Sequence, residues 1–81
     1  MHEFSLARTL VRLAEQRLPP EGRRPVTRVT VRLGVLAGIG QESLAAAFKL
    51  ASAGTPLETA TLEIEPAEGG ELWLETLELG E

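Results

Sequence analysis

Apolar residues along positions 3–18 recur at helical spacing, with Phe4, Ala7, Leu10, Val11, Ala14 and Leu18 on one stripe. Arg8, Arg12, Glu15 and Gln16 take the other side. This predicts a helix over 3–18, ended and turned by Pro19-Pro20-Glu21-Gly22. The period then falls to two. Between Val26 and Leu33, Val29, Val31 and Leu33 share one face while Arg28, Thr30 and Arg32 share the other, the signature of a half-buried strand. Gly34 to Gly40 is a glycine-punctuated loop, and a second helix is expected over 41–53. Its stripe is Leu44, Ala47, Phe48 and Ala51, with Gly54 placed to cap its end. The triplet Ala45-Ala46-Ala47 is expected to let this helix lie close to the sheet or to the first helix.

Two more strands complete the pattern. Thr61 to Glu65 alternates with Leu62 and Ile64 inward, and Glu68-Gly69-Gly70 predicts a tight hairpin turn into a last strand over 71–79. That strand breaks its own alternation. Leu72 and Leu74 have one parity, whereas Leu77 and Leu79 have the other, shared with Trp73. A strict period of two cannot bury all four leucines, so a bulge is expected near Glu75-Thr76. Two amphipathic helices and three one-sided strands pack most simply as a two-layer α+β fold. Both helices would then cover one face of a three-stranded sheet, in the order α-β-α-β-β, as a single domain over 1–81.

Composition narrows the chemistry. At 81 residues the chain is near the lower size at which one core suffices, and 43% apolar residues with only three aromatics indicate an aliphatic interior. Without cysteine, disulfides, thiol catalysis and cysteine-held zinc are excluded. No apolar run approaches a membrane span and no basic-then-apolar leader is visible, so a cytoplasmic protein with no membrane partner is expected. The bulky His2 is expected to protect Met1 from removal.

A net charge of −4 argues against nucleic acid as a partner. Its distribution is more telling. All eight basic residues lie at or before Lys49, while Glu58, Glu63, Glu65, Glu68, Glu71, Glu75, Glu78 and Glu81 follow with no counter-charge among them. Arginines of the first strand are therefore expected to face glutamates of the later ones across the polar side of the sheet. Trp73 would lie on that side, covering arginine stems or marking a partner contact. Small size and an exposed edge strand also permit a homodimer through the sheet.

Catalytic constellations are absent. Gly38-Ile39-Gly40 before a helix superficially suits a phosphate, but Ser43 stands where a dinucleotide loop needs its third glycine, and no Gly-Lys-Ser/Thr follows. Ser5 lies near His2, yet there is no Asp to orient the imidazole. No enzyme activity is expected. The start of the chain offers different chemistry. A free Met1 amine, the His2 imidazole and the adjacent backbone nitrogens can close fused chelate rings, a nitrogen set suited to planar Ni(II) or Cu(II) and poorly suited to tetrahedral Zn(II). Backbone N–H groups of a first helical turn have no intrahelical acceptor and can lose protons without breaking the helix ladder. The positive end of the helix dipole opposes a cation, and Glu3 partly offsets it. Taken alone, the terminus reads more readily as a solvated histidine than as a metal site.

Met1-His2-Glu3-Phe4-Ser5-Leu6 resembles the opening of the HypA/HybF-type hydrogenase maturation family of nickel metallochaperones. The likeness continues through Gly34-Val35-Leu36-Ala37-Gly38 and Glu42-Ser43-Leu44-Ala45-Ala46-Ala47-Phe48. It resumes over Gly54 to Glu65 and again over Glu71 to Leu79, in the family's order. The resemblance implies a nickel site at Met1, His2 and Glu3, and two helices on a three-stranded sheet. It also implies as partners a nickel-handling GTPase and the precursor of a nickel enzyme such as [NiFe] hydrogenase. Family members carry a zinc domain with two Cys-x-x-Cys pairs between the last two strands. Here Ala67-Glu68-Gly69-Gly70 stands in its place as a tight turn, so nickel but not zinc is expected. A rival reading is an interaction module that kept this fold and lost metal delivery.

Overall fold

Five elements follow one another as α1 (His2–Gln16), β1 (Val26–Gly34), α2 (Gln41–Ala51), β2 (Thr61–Ala67) and β3 (Leu72–Leu79). The structure, a computed structural model, describes residues 2–19 and 24–80, with the side chain of His2 left out. The expected α+β class and the element order α-β-α-β-β are both observed. The apolar stripe of α1 is buried at Ala7, Leu10, Val11 and Ala14, with Phe4 and Leu18 packed at its two ends. After Gln16 the backbone tightens, Arg17 N–H donating to Ala14 O and Leu18 N–H to Glu15 O. Leu18 precedes Pro19, which disfavours a further helical residue. The rest of the turn expected there lies outside the described residues.

The sheet order is β2-β1-β3, with β1 parallel to β2 and antiparallel to β3. The expected hairpin at Glu68-Gly69-Gly70 is therefore not formed: β2 and β3 flank β1 instead of pairing with each other. The link between them passes across the end of β1. There Gly34 N–H donates to Glu71 O, Val35 N–H to Ala67 O and Leu36 N–H to Gly69 O, each at 2.8 Å. The crossing is close enough that a Cβ on Gly34 would stand 2.2 Å from the Gly69 carbonyl oxygen, so only glycine fits. Gly69 itself turns with φ of 89°, in the region that favours glycine.

The bulge expected near Glu75-Thr76 is present. Thr30 faces Thr76 while the next residue, Val31, faces Leu74, so Glu75 is the extra residue and all four leucines of β3 turn toward the helices. β1 carries a second, compensating irregularity that periodicity alone did not reveal. Val26 faces Leu79 and Arg28 faces Glu78, which leaves Thr27 as the extra residue and lets Val26 share the buried side with Val29, Val31 and Leu33.

α2 starts at Gly40 without a side-chain cap, and Glu42 in its first turn and Lys49 in its last complement the helix dipole. Of the alanine triplet only Ala47 reaches the core; Ala45 and Ala46 are exposed, since consecutive helical residues point about 100° apart. α2 ends at Ser52, and Gly54 adopts the left-handed conformation two residues later. The following turn is pinned by Thr55, whose hydroxyl donates to Ser52 O at 2.7 Å and accepts from Leu57 N–H at 3.1 Å. This inserts Leu57 fully into the core, an anchor that no periodic pattern exposes because it belongs to a loop.

On the other side of the sheet the expected Arg/Glu pairing is realised. Arg28 Nη1 meets Glu63 Oε2 of β2 at 2.7 Å, Arg28 Nε lies 3.6 Å from Glu78 of β3, and Arg32 lies 4.0 Å from Glu75. The side chains of the closest pair remain 44% and 46% exposed, so solvent screens it and its contribution is of order 0.2–1 kcal/mol.

Two outcomes follow for thermal or urea unfolding. Gly34→Ala loses roughly 1–3 kcal/mol, because the added methyl forces the crossing link off its hydrogen bonds. Leu57→Ala loses about 2–5 kcal/mol, against less than about 1 kcal/mol for Glu63→Gln. Equal losses for the last two would mean that the ion pairs, and not the apolar layer, hold the sheet.

Candidate metal centre

α1 begins at His2, so the backbone nitrogens of His2, Glu3, Phe4 and Ser5 belong to a first turn without intrahelical acceptors. Two features fix that turn in place. Phe4 and Leu6 pack against the core, and Ala7 behind them is completely buried. The next turns lie beside the loop after β1 and the crossing link, where Ser5, Leu6 and Thr9 line a shallow cleft with Ala37, Ile39 and Gly70. The start of α1 therefore stands at the same end of the molecule as the crossing over Gly34. Glu3 is half-buried in the first turn, where a carboxylate counters the positive end of the helix dipole.

Of the three residues expected to hold metal, the structure places the backbone of His2 and all of Glu3 together in this turn. Met1 and the His2 side chain lie outside the described residues. Among the described residues no group of three or more His, Asp or Glu side chains converges on a point that could hold a metal ion. The glutamates of β2 and β3 are spread along exposed strand positions or engaged with Arg28 and Arg32. The described donors at the start of α1 are its backbone nitrogens and the Glu3 carboxylate, to which the sequence adds the nitrogens of Met1 and His2. That donor set fits Ni(II) and Cu(II), which tolerate a planar array of nitrogens.

The arrangement is a small α+β fold in which two helices cover one face of a three-stranded mixed sheet. Its kinship is specific. The family model described as "Hydrogenase/urease nickel incorporation, metallochaperone, hypA" matches residues 1–72, and the chain belongs to this family. The hydrogenase maturation factor HypA of Roseiflexus sp. is 49% identical over 65 residues, covering 80% of this chain and 53% of that protein. The HypA factor of Deinococcus radiodurans is 41% identical over 69 residues, covering 85% and 58%. The chain thus spans a little over half the length of these curated relatives. The solution structure of the Ni metallochaperone HypA from Helicobacter pylori shares the fold with a TM-score of 0.70, at 17% identity over 91% of this chain and 70% of that one.

Proposed function

We propose that this chain binds Ni(II) as cargo at its first helical turn and passes it on during the maturation of a nickel enzyme such as a [NiFe] hydrogenase. The observation that carries this reading is that the family match begins at residue 1 and so includes Met1-His2-Glu3. In this reading the Met1 amine, the His2 imidazole and the neighbouring backbone nitrogens hold the ion. Glu3 offsets the positive helix end that would otherwise repel it. In this reading the donors precede the packed residues Phe4 and Ala7 in the chain, and none of them belongs to the sheet. Zinc has no place in it, since the chain lacks cysteine and offers no described tetrahedral side-chain set.

The partners are then a nickel-handling GTPase and the precursor of the recipient enzyme, and the exchange takes place in the cytoplasm. No described helix is long and apolar enough to cross a membrane. The chain acts as a carrier and not as a catalyst: its chemistry is the capture and release of an ion.

Titration of the protein with Ni(II) is expected to produce the weak d–d absorption of a diamagnetic planar complex. His2→Ala abolishes it, and so does acetylation of the Met1 amine, which removes that nitrogen as a donor. Unchanged nickel affinity in both forms would remove the ion from this terminus.

A further inference from the structure

We infer that the outer edge of β3 is a docking site for an extended segment in which apolar and basic residues alternate. β3 is hydrogen-bonded on one side only among the described residues, its partner there being β1. Beside its other edge runs an apolar groove between β3 and α1, lined by Leu6, Leu10 and Leu13 from the helix and by Leu72, Trp73 and Leu74 from the strand. Leu13 remains 46% exposed there, and Trp73, 57% exposed, stands opposite Arg32 at the same end of β3. The groove encloses about 310 Å³, at the lower limit of small-molecule pockets, and is bordered by backbone able to pair with another strand. These are the features of strand addition, in which main-chain hydrogen bonds supply affinity and alternate side chains enter pockets.

Charge selects the occupant. The outer-face residues of β3 include Glu75 and Glu78, and on the paired side they meet arginines of β1: Arg28 stands opposite Glu78 and Arg32 reaches Glu75. β1 thus shows what kind of strand suits this one, with valines turned to the helices and arginines to the glutamates. The open side of β3 presents the same alternation without a second basic row. A segment that turns apolar residues into the groove and Arg or Lys toward Glu75 and Glu78 repeats the β1 pairing on the free edge. A second copy of the chain fits worse. Joining two β3 edges would gather both glutamate rows on one sheet face, and like charges side by side oppose such pairing. On the edge of β2, by contrast, Pro66 removes one ladder donor near the end of the strand.

The only tryptophan of the chain lies in β3 beside this groove, so its emission responds to a strand added at this edge. The probe is a synthetic peptide of three Arg-Val repeats with blocked ends, added to the metal-free protein in the presence of a chelator, so that the result is independent of nickel binding. Saturable movement of Trp73 emission to shorter wavelength is expected. A Glu-Val peptide, and an Arg-Val peptide N-methylated at alternate residues, should each bind at least about tenfold more weakly. Leu13→Asp, at an exposed position that spares the core, and Glu75→Lys with Glu78→Lys should weaken the Arg-Val peptide by a similar factor, with folding of both variants verified by circular dichroism. An emission that does not respond to the peptide overturns the inference, as does equal affinity for any of the three peptides. A Trp73 shift that tracks the concentration of the protein itself would instead assign the groove to a second copy.

Discussion

The fold depends on one close crossing. The link from β2 to β3 runs directly over the end of β1, where Gly34 presents only a hydrogen to the Gly69 carbonyl. Three backbone N–H groups, of Gly34, Val35 and Leu36, are satisfied by carbonyls of that link. Because the link crosses there, β1 can be the central strand, parallel to β2 and antiparallel to β3. With β1 central, its four buried residues, Val26, Val29, Val31 and Leu33, share one core cluster with buried residues of both helices. The crossing also lies at the end of the molecule where α1 begins, so the base of the candidate metal turn and the tightest backbone contact share one region.

The two sides of the sheet do different work. The helix side removes leucines and valines from water, each fully buried one contributing about 1.5–3 kcal/mol, and it supplies the stability. The other side is an arginine-bearing strand between two glutamate-bearing ones, with exposed ion pairs of small energy. Those pairs act on register and specificity more than on stability. They match β1 to its neighbours, and the surplus of glutamates on both outer strands discourages two sheets from joining edge to edge.

Local patterns made much of this fold legible. The stripe of α1 and the alternation of Val29, Val31 and Leu33 identified buried faces, because amphipathic periodicity is imposed by the core itself. The break in parity between Leu74 and Leu77 located the bulge at Glu75, since no regular strand can bury both. Strand order was not legible. Glu68-Gly69-Gly70 carries the composition of a hairpin turn, but composition records local flexibility and not which strands the turn joins. The pairing was settled by non-local packing of the β1–α2–β2 crossover. Leu57 and the extra residue Thr27 escaped for the same reason: one sits in a loop, the other is visible only against its partner strand. The family was legible through its opening residues and the blocks that follow them, whereas a single histidine carries no spacing pattern of its own, and the proposal for Met1-His2 rests on chelating chemistry joined to that likeness.

The central claim is that nickel is held by the first turn of α1 and leaves the sheet undisturbed. Its most direct test is a ¹H–¹⁵N correlation spectrum of the whole chain recorded before and after one equivalent of Ni(II). Loss or large displacement of the His2 and Glu3 backbone amide signals, with those of β1, β2 and β3 in place, is the predicted result. Perturbation centred on the glutamates of β2 and β3, with the start of α1 unchanged, would contradict it.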